Sequence, residues 1–259
     1  MRHIMNYVRT WTTIAVVIGA FAFVGSFPSL VLAAPGDGLA GSLHDFTDEG
    51  TNTQAVGLCT FCHTPHRALS TRLLWNHTLS SNTFSWDEAT TMGGTDLPTN
   101  IQTWIGPTRN CLSCHDGSVA IGDVAWFNKA GPLVINATDH QNDDFTVGPG
   151  GDLTGNHPVA LPYPFNNTGG ESYNGISTGI DVALEWVPDP RVNGIRLFKD
   201  SGLGSALAGG EEGNAGIECS SCHDPHNAST VQDEYFLRGS LTGNAGGPAG
   251  YICLKCHDK

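Results

Sequence analysis

Charged side chains are scarce in this chain, and basic ones are scarcer than acidic ones. Lysine and arginine together number 12 against 25 aspartates and glutamates, which gives a formal net charge of −13. Nucleic acids and anionic membrane surfaces are themselves negative and bind basic surfaces. The composition therefore argues against both as partners, and it is typical of a solvated acidic surface or one that meets cationic partners.

Sustained hydrophobic periodicity is also missing. Helical bundles and large sheets need long windows of period 3.6 or 2, but only short alternating runs occur, at 194–198 and 234–238. Glycine (33 residues) and proline (14) are frequent, and they gather in turn-forming clusters. The chain thus has too few regular segments to build a conventional core from secondary structure alone.

The only long apolar run lies near the N-terminus, from about Trp11 to Val24. Arg2 and Arg9 precede it and small residues follow it, which is the order of a secretory signal. The run is short for a hydrocarbon layer of about 30 Å. We predict a signal peptide over residues 1–33 that is cleaved after Ala33, and a single domain over 34–259 without a membrane span. The mature chain would therefore be exported.

No cysteine stands outside a C-x-x-C-H motif. A disulfide framework would not place a histidine after every pair, and a zinc site does not need it there. C-x-x-C-H is the attachment signal for c-type haem. Four copies predict four covalently bound haem c groups, each held by two thioether bonds, from Cys59, Cys62, Cys111, Cys114, Cys219, Cys222, Cys253 and Cys256.

The motif spacing also assigns the first iron ligand of each haem. Two cysteines at i and i+3 lie on one face of a helical turn, and the histidine at i+4 lies on the same face. The histidine can then reach the iron while the two thiols attach to the vinyl groups. The predicted proximal ligands are His63, His115, His223 and His257.

The sixth iron ligand decides between electron transfer and catalysis. Methionine cannot supply it throughout, because only Met92 remains after leader removal and it lies in a turn-forming segment. Histidine is abundant, which predicts bis-histidine haems of low potential and no enzyme activity. The distal candidates, in order of preference, are His66, His157, His226, His44 and His77, and His140 in polar surroundings ranks last.

Two of these candidates follow a proximal histidine by only three residues, in "CHTPH" and "CHDPH". His66 cannot reach the opposite face of the haem that His63 binds, because only Thr64 and Pro65 separate the two histidines. If His66 binds iron, it must bind that of a different haem, and the same holds for His226 beside His223. We favour His66 as the residue that reaches a neighbouring subunit.

The order "HDF…CTFCHTPH…LLWNH…NCLSCHDGSVAIGD…NHPVA…CSSCHDPHN…CLKCH" resembles the multihaem cytochromes exported by metal-reducing bacteria. With four haems it resembles the filament-forming, OmcE-like tetrahaem group. The resemblance implies a haem-organised multihaem cytochrome c fold. Such a fold is mostly loop and turn, with short helices at the C-x-x-C-H motifs and a few short β-strands. It also implies a distal histidine donated between subunits.

These observations favour an electron-transfer protein over two alternatives. The first reading is a homopolymeric conducting filament at the outer cell surface, which takes electrons from redox partner cytochromes and delivers them to extracellular metal or other acceptors. The alternative is a monomeric periplasmic tetrahaem shuttle with all its ligands internal. A multihaem reductase would need an iron with an open position, which the surplus of histidines argues against.

We expect four haems per chain in a pyridine haemochrome assay, all retained after acid-acetone extraction because thioether bonds resist it. Replacing Cys111 and Cys114 together by serine should lower the count to three. A wild-type haem that extracts into acid acetone would contradict covalent attachment.

Overall fold

The computed structural model describes most of the predicted mature chain. The described residues are 33–47, 57–66, 68, 73–86, 106–125, 145–165, 170, 172–173, 176–177, 181–200, 205–208, 215–231, 235–243, 247 and 250–258. All of them belong to the unit Ala33–Lys259. Residues 1–32 of the predicted signal peptide, Met92 and His140 lie outside the described residues.

Regular elements are short and separated by turns. The helices are α1 (Thr108–His115), α2 (Val182–Glu185) and α3 (Cys219–Cys222), with 3-10 turns at Pro149–Gly151, Pro190–Asn193 and Cys253–Lys255. The strands are β1 (Leu161–Tyr163), β2 (Ser172–Tyr173), β3 (Ile176–Ser177), β4 (Phe198–Asp200), β5 (Ser205–Ala208) and β6 (Ala215–Ile217). The described strands therefore all lie between the second and the third C-x-x-C-H motif.

The strands form one small sheet and one hairpin. The sheet order is β1-β6-β4-β5, and each neighbouring pair is antiparallel. β2 and β3 pair separately as the hairpin. β6 ends two residues before Cys219, so the sheet leads directly into the third motif.

Helices coincide with two of the four motifs. α1 contains Cys111, Cys114 and His115, and α3 runs from the first to the second cysteine of the third motif. A capping box starts α3, in which the Glu218 backbone N–H donates to Ser221 Oγ at 2.9 Å. The fourth motif forms a 3-10 turn and the first a series of hydrogen-bonded turns.

Three small apolar clusters take the place of one large core in the described residues. One packs Leu112 of α1 with Phe84, Trp86, Leu153 and Ala160. A second packs Phe61 of the first motif with Phe46 and Val124, and Cys62 lies against it. A third, beneath the sheet, packs Cys256 of the fourth motif against Tyr163, Phe165, Ile195, Leu197 and Ala215. Each cluster thus anchors a different motif.

Buried polar side chains hold the turns between these clusters. Asn76, fully buried, donates to the carbonyls of Thr60 and Phe61. Asn227, 2% exposed, donates in the same way to the carbonyls of Ala34 and Gly38. Buried main-chain groups need partners, and a chain with few ladders must obtain them from side chains. Such bonds therefore stabilise loops that secondary structure does not.

No helix within the described ranges is both long and apolar enough to cross a membrane. The longest, α1, has eight residues, whereas a spanning helix needs about 20. This agrees with the prediction that the mature domain has no helical membrane span.

Tyr163 should contribute measurably to stability. Its ring is fully buried, and its hydroxyl donates to the carbonyl of Val187 and lies 3.2 Å from that of Cys256. Tyr163→Phe removes the hydroxyl that donates to these carbonyls. The free energy of unfolding should therefore fall by about 1–2 kcal/mol. Guanidinium denaturation of the haem-loaded protein checks this. Tyr235→Phe, at a ring that is 47% exposed, is the control and should change nothing.

Candidate metal centres

Three of the four proximal histidines are oriented by the same hydrogen bond. The Nδ1 atoms of His63, His115 and His223 lie 2.5, 2.9 and 2.6 Å from the carbonyl oxygens of Leu73, Phe145 and Tyr235 respectively. A carbonyl only accepts, so Nδ1 carries the proton and Nε2 keeps its lone pair. Histidines that bind metals are typically held in this tautomer by a carbonyl or carboxylate. The rings are therefore prepared to ligate iron through Nε2.

The first and third motifs are built as two copies of one loop, which we call the first loop (59–76) and the third loop (219–238). In the first, Thr64 N–H donates to the carbonyl of Leu74 and Asn76 N–H to that of Cys62. In the third, Asp224 N–H donates to the carbonyl of Phe236 and Arg238 N–H to that of Cys222. The bridges His63 to Trp75 and His223 to Leu237 complete the match.

Each loop contains a strained residue at the same place. Leu74 and Phe236 adopt positive φ angles of 51° and 53°, in the left-handed region. This conformation costs a non-glycine residue about 1–2 kcal/mol, and it is often found at functional sites. Here it turns the carbonyl of the preceding residue, Leu73 or Tyr235, towards the proximal imidazole.

The fourth motif uses the same backbone pairing with a segment that precedes it in the chain. Val187 N–H donates to the carbonyl of Cys256, Asp258 N–H donates to that of Glu185, and His257 bridges to Trp186. The His257 ring also lies 4.6 Å from the Trp186 ring. An antiparallel bridge thus supports the proximal histidine in three of the four motifs.

Three proximal histidines face a second histidine across a narrow gap. The ring centroids are 6.3 Å apart for His63 and His226, 6.0 Å for His115 and His44, and 6.2 Å for His257 and His157. Every pair joins one C-x-x-C-H histidine to one predicted distal candidate. The structure thus places His226, His44 and His157 beside the proximal histidines of the first, second and fourth motifs respectively.

The spacing of these pairs fits an iron between the rings. A metal–imidazole bond is about 2 Å, and an imidazole nitrogen lies about 1.1 Å from the ring centroid. Two such metal–imidazole units in line would separate the ring centroids by about 6.2 Å, close to the values observed. Direct ring stacking would bring the centroids nearer, as in the 3.9 Å pair of Phe46 and Phe61.

The distal rings are themselves held in place. His44 Nδ1 lies 3.1 Å from the carbonyl of Pro225, and the ring stacks on Phe236 at 4.8 Å. His157 Nδ1 lies 2.7 Å from the carbonyl of Pro158. Again Nδ1 must donate and Nε2 is left for a metal. The third loop therefore orients His44 for the second motif while it also supplies His226 to the first.

The cysteine environments suit thioether sulfur better than thiolate. Burial raises the pKa of Cys62 and of Cys256 to about 12, and that of Cys114 and Cys222 to about 11. Zinc binds thiolates, which such surroundings disfavour, whereas a thioether is uncharged. Within the described part of the chain, no three metal-binding side chains converge as a zinc site requires. The eight cysteines, all described, form no disulfide.

Direct contacts join the four motifs in chain order. Trp75 of the first loop donates to Ser113 Oγ in α1 at 3.0 Å. Thr108 N–H, at the start of α1, donates to Glu218 Oε2 at 3.0 Å, and Cys219 N–H donates to Thr108 Oγ1 at 3.1 Å. Lys255 of the fourth motif donates to the carbonyl of Arg238 at 2.6 Å. Spacing alone did not predict this first-to-fourth order.

The two other distal candidates, His66 and His77, lie in different surroundings. His66 is exposed at the surface. His77 is fully buried and packs against Phe61 and Trp75, and burial lowers its pKa to about 4. Among the described residues no histidine ring faces His223 or His77. One proximal position, that of the third motif, therefore has no distal partner in the described part of the chain.

Comparison with protein-family models and with curated proteins gives no match to this chain. The assignment of these centres therefore depends on the motif residues and their geometry.

His226→Ala should leave four covalent haems but make one of them high-spin, because the haem on Cys59 and Cys62 loses its distal ligand. Electron paramagnetic resonance of the oxidised protein checks this, together with cyanide binding at one equivalent per chain. His140→Ala is the control and should stay fully low-spin. An unchanged spectrum for His226→Ala would show that His63 has a different partner.

Proposed function

We propose that this protein carries electrons through four covalently bound bis-histidine c-type haems. It acts as the subunit of an extracellular conducting filament that delivers electrons to extracellular acceptors. The three histidine pairs, with centroid distances of 6.0 to 6.3 Å, are the observation that carries the proposal. Each pair combines a motif histidine with a predicted distal one.

Paired histidines suit electron transfer more than catalysis. When bound, a bis-histidine haem supplies an iron that exchanges single electrons and leaves no position for a substrate. The protein's contribution is to fix the orientation of both imidazole rings of a pair. Carbonyl acceptors fix the Nδ1 atoms of His115 and of its partner His44, at 2.9 and 3.1 Å. The ligands then need little movement when the charge of the site changes.

Continuity between sites supports a conducting path. The first loop contacts α1, α1 contacts the third loop, and the third loop contacts the fourth motif, each through a direct hydrogen bond. Cys219 N–H donates to Thr108 Oγ1 at the start of α1, the helix that contains Cys111. Because these cysteines fix the edges of their cofactors, the second and third sites would be neighbours.

The repeated loop favours a filament. In the described chain the third loop supplies His226 to the proximal histidine of the first loop. His66 is at the equivalent position of the first loop, and it lies at the surface, as does His223. If His66 supplies the site of His223 in the next copy, the same loop-to-loop relation is repeated between subunits. Such a head-to-tail contact builds a fibre when its rotation does not close a ring.

The monomeric periplasmic shuttle is the alternative. It requires that the distal ligand of His223 come from the same chain, so that His66 or His77 would have to reach it. The buried ring of His77, whose nitrogens make no hydrogen bond to described residues, is the feature that favours this alternative.

His66→Ala should retain four haems and lose the ability to polymerise, because the ligand between subunits is removed. Electron microscopy of detergent-free protein and the partition of haem on sedimentation check both states. Wild-type haem should pellet with filaments, the variant's haem should stay in the supernatant, and His140→Ala should behave as wild type.

Two results would contradict the filament. Wild-type haem that stays entirely in the supernatant would leave the shuttle as the function. Intact filaments from His66→Ala would show that another histidine joins the subunits. Stoichiometric cyanide binding by the wild type would instead point to an open iron and an enzyme.

A further inference from the structure

Three arginines line one cleft in the described part of this acidic chain. It has a volume of about 490 Å³, and its lining includes Arg191, Arg196, Arg238, Asp224, His226 and Ser229. The cleft thus takes three of the 12 basic residues of a chain whose net charge is −13. It begins at His226, whose ring faces His63.

Two of the three arginines are neutralised by neighbouring carboxylates. Arg191 pairs with Asp189, with Nε 2.8 Å from Oδ1, and its guanidinium lies 4.2 Å from the centre of the Phe165 ring. Arg238 is 8% exposed and lies 3.4 Å from Asp224 Oδ1, and it also donates to Ser229 Oγ at 2.5 Å. These pairs shape the wall of the cleft and leave it with little net charge.

Arg196 supplies the positive charge that remains in the cleft after these two ion pairs are counted. Its side chain is exposed, its guanidinium lies 5.3 Å from the centre of the Phe198 ring, and it makes no ion pair with a described residue. A guanidinium held over an aromatic face keeps its donors available to an anion, and its planar fork matches a carboxylate. The cleft is therefore built to receive a carboxylate or a similar oxyanion beside the first metal centre.

We propose that Arg196 binds a propionate of the haem held by Cys59, Cys62, His63 and His226. The inference rests on the proposed function. The cysteines fix one edge of the macrocycle to the first loop, and the propionates project from the opposite edge. Arg196 lines the same cleft as His226, the histidine whose ring lies 6.3 Å from that of His63. The arginine then raises the potential of this haem, because positive charge favours the reduced state.

The test compares midpoint potentials at neutral pH in Arg196→Gln, Arg196→Lys and Lys199→Gln. Lys199 is an exposed cation on β4 outside the cleft lining, so its loss removes the same charge at a different place. Arg196→Gln should lower the potential of one haem of the four, Arg196→Lys should largely restore it, and Lys199→Gln should leave all four unchanged. The affected haem should be the one that His226→Ala makes high-spin.

Counting haems first separates the two proposals. A chain without four haems contradicts the proposed function, whereas a fully loaded Arg196→Gln with unchanged potentials overturns only the role of Arg196. Equal shifts in Arg196→Gln and Lys199→Gln would likewise overturn it.

A soluble oxyanion is the other source of the same chemistry. Inorganic phosphate, added at constant ionic strength, should leave the wild-type potentials unchanged because the propionate occupies the cleft. A phosphate-dependent shift in the wild type that is lost in Arg196→Gln would show that the cleft is open to free anions, and it would overturn the assignment to the haem.

Discussion

The hydrogen bond from an imidazole Nδ1 to a main-chain carbonyl orients the rings of His44, His63, His115, His157 and His223. The sequence separation between the histidine and the carbonyl that accepts its hydrogen bond differs from site to site. His63 uses a carbonyl ten residues away, His115 one 30 residues away and His44 one 181 residues away. Ligand orientation is thus a tertiary property, although the C-x-x-C-H motif itself is local. A loop that shifts would misdirect a ring several segments away in the sequence.

A chain that relies on such bonds must fix its loops without long helices or strands. Buried polar side chains do this at the joints between motifs. Glu218, fully buried, accepts the N–H of Thr108 from α1 and also begins α3 with a capping box. Asp224 accepts from the N–H groups of Ala228 and Ser229 and pairs with Arg238. Buried networks of this kind rigidify a structure when each member is satisfied. The apolar clusters are then free to pack against the cysteine motifs.

Local spacing predicts the haem cysteines, the four proximal histidines and the separation of His226 from the iron of His223, and these stay predictions. The structure places the His226 ring 6.3 Å from that of His63. The described strands all lie in the long stretch between the second and third motifs. Spacing could not match His44 to His115 or His157 to His257, because those pairs depend on how distant loops fold together. It also missed the arginine cleft, since Arg191 and Arg238 are far apart in the chain and carry no motif.

Because the first and third loops share the same backbone pairing, this chain contains one structural unit twice. Each copy contains a C-x-x-C-H motif, a residue with positive φ directly after the carbonyl that accepts from the motif histidine, and a second histidine. Eighteen or so residues are enough for one copy, and the two differ by a short insertion between motif and bridge. A segment of this length, if duplicated, would add one further C-x-x-C-H motif together with one further histidine.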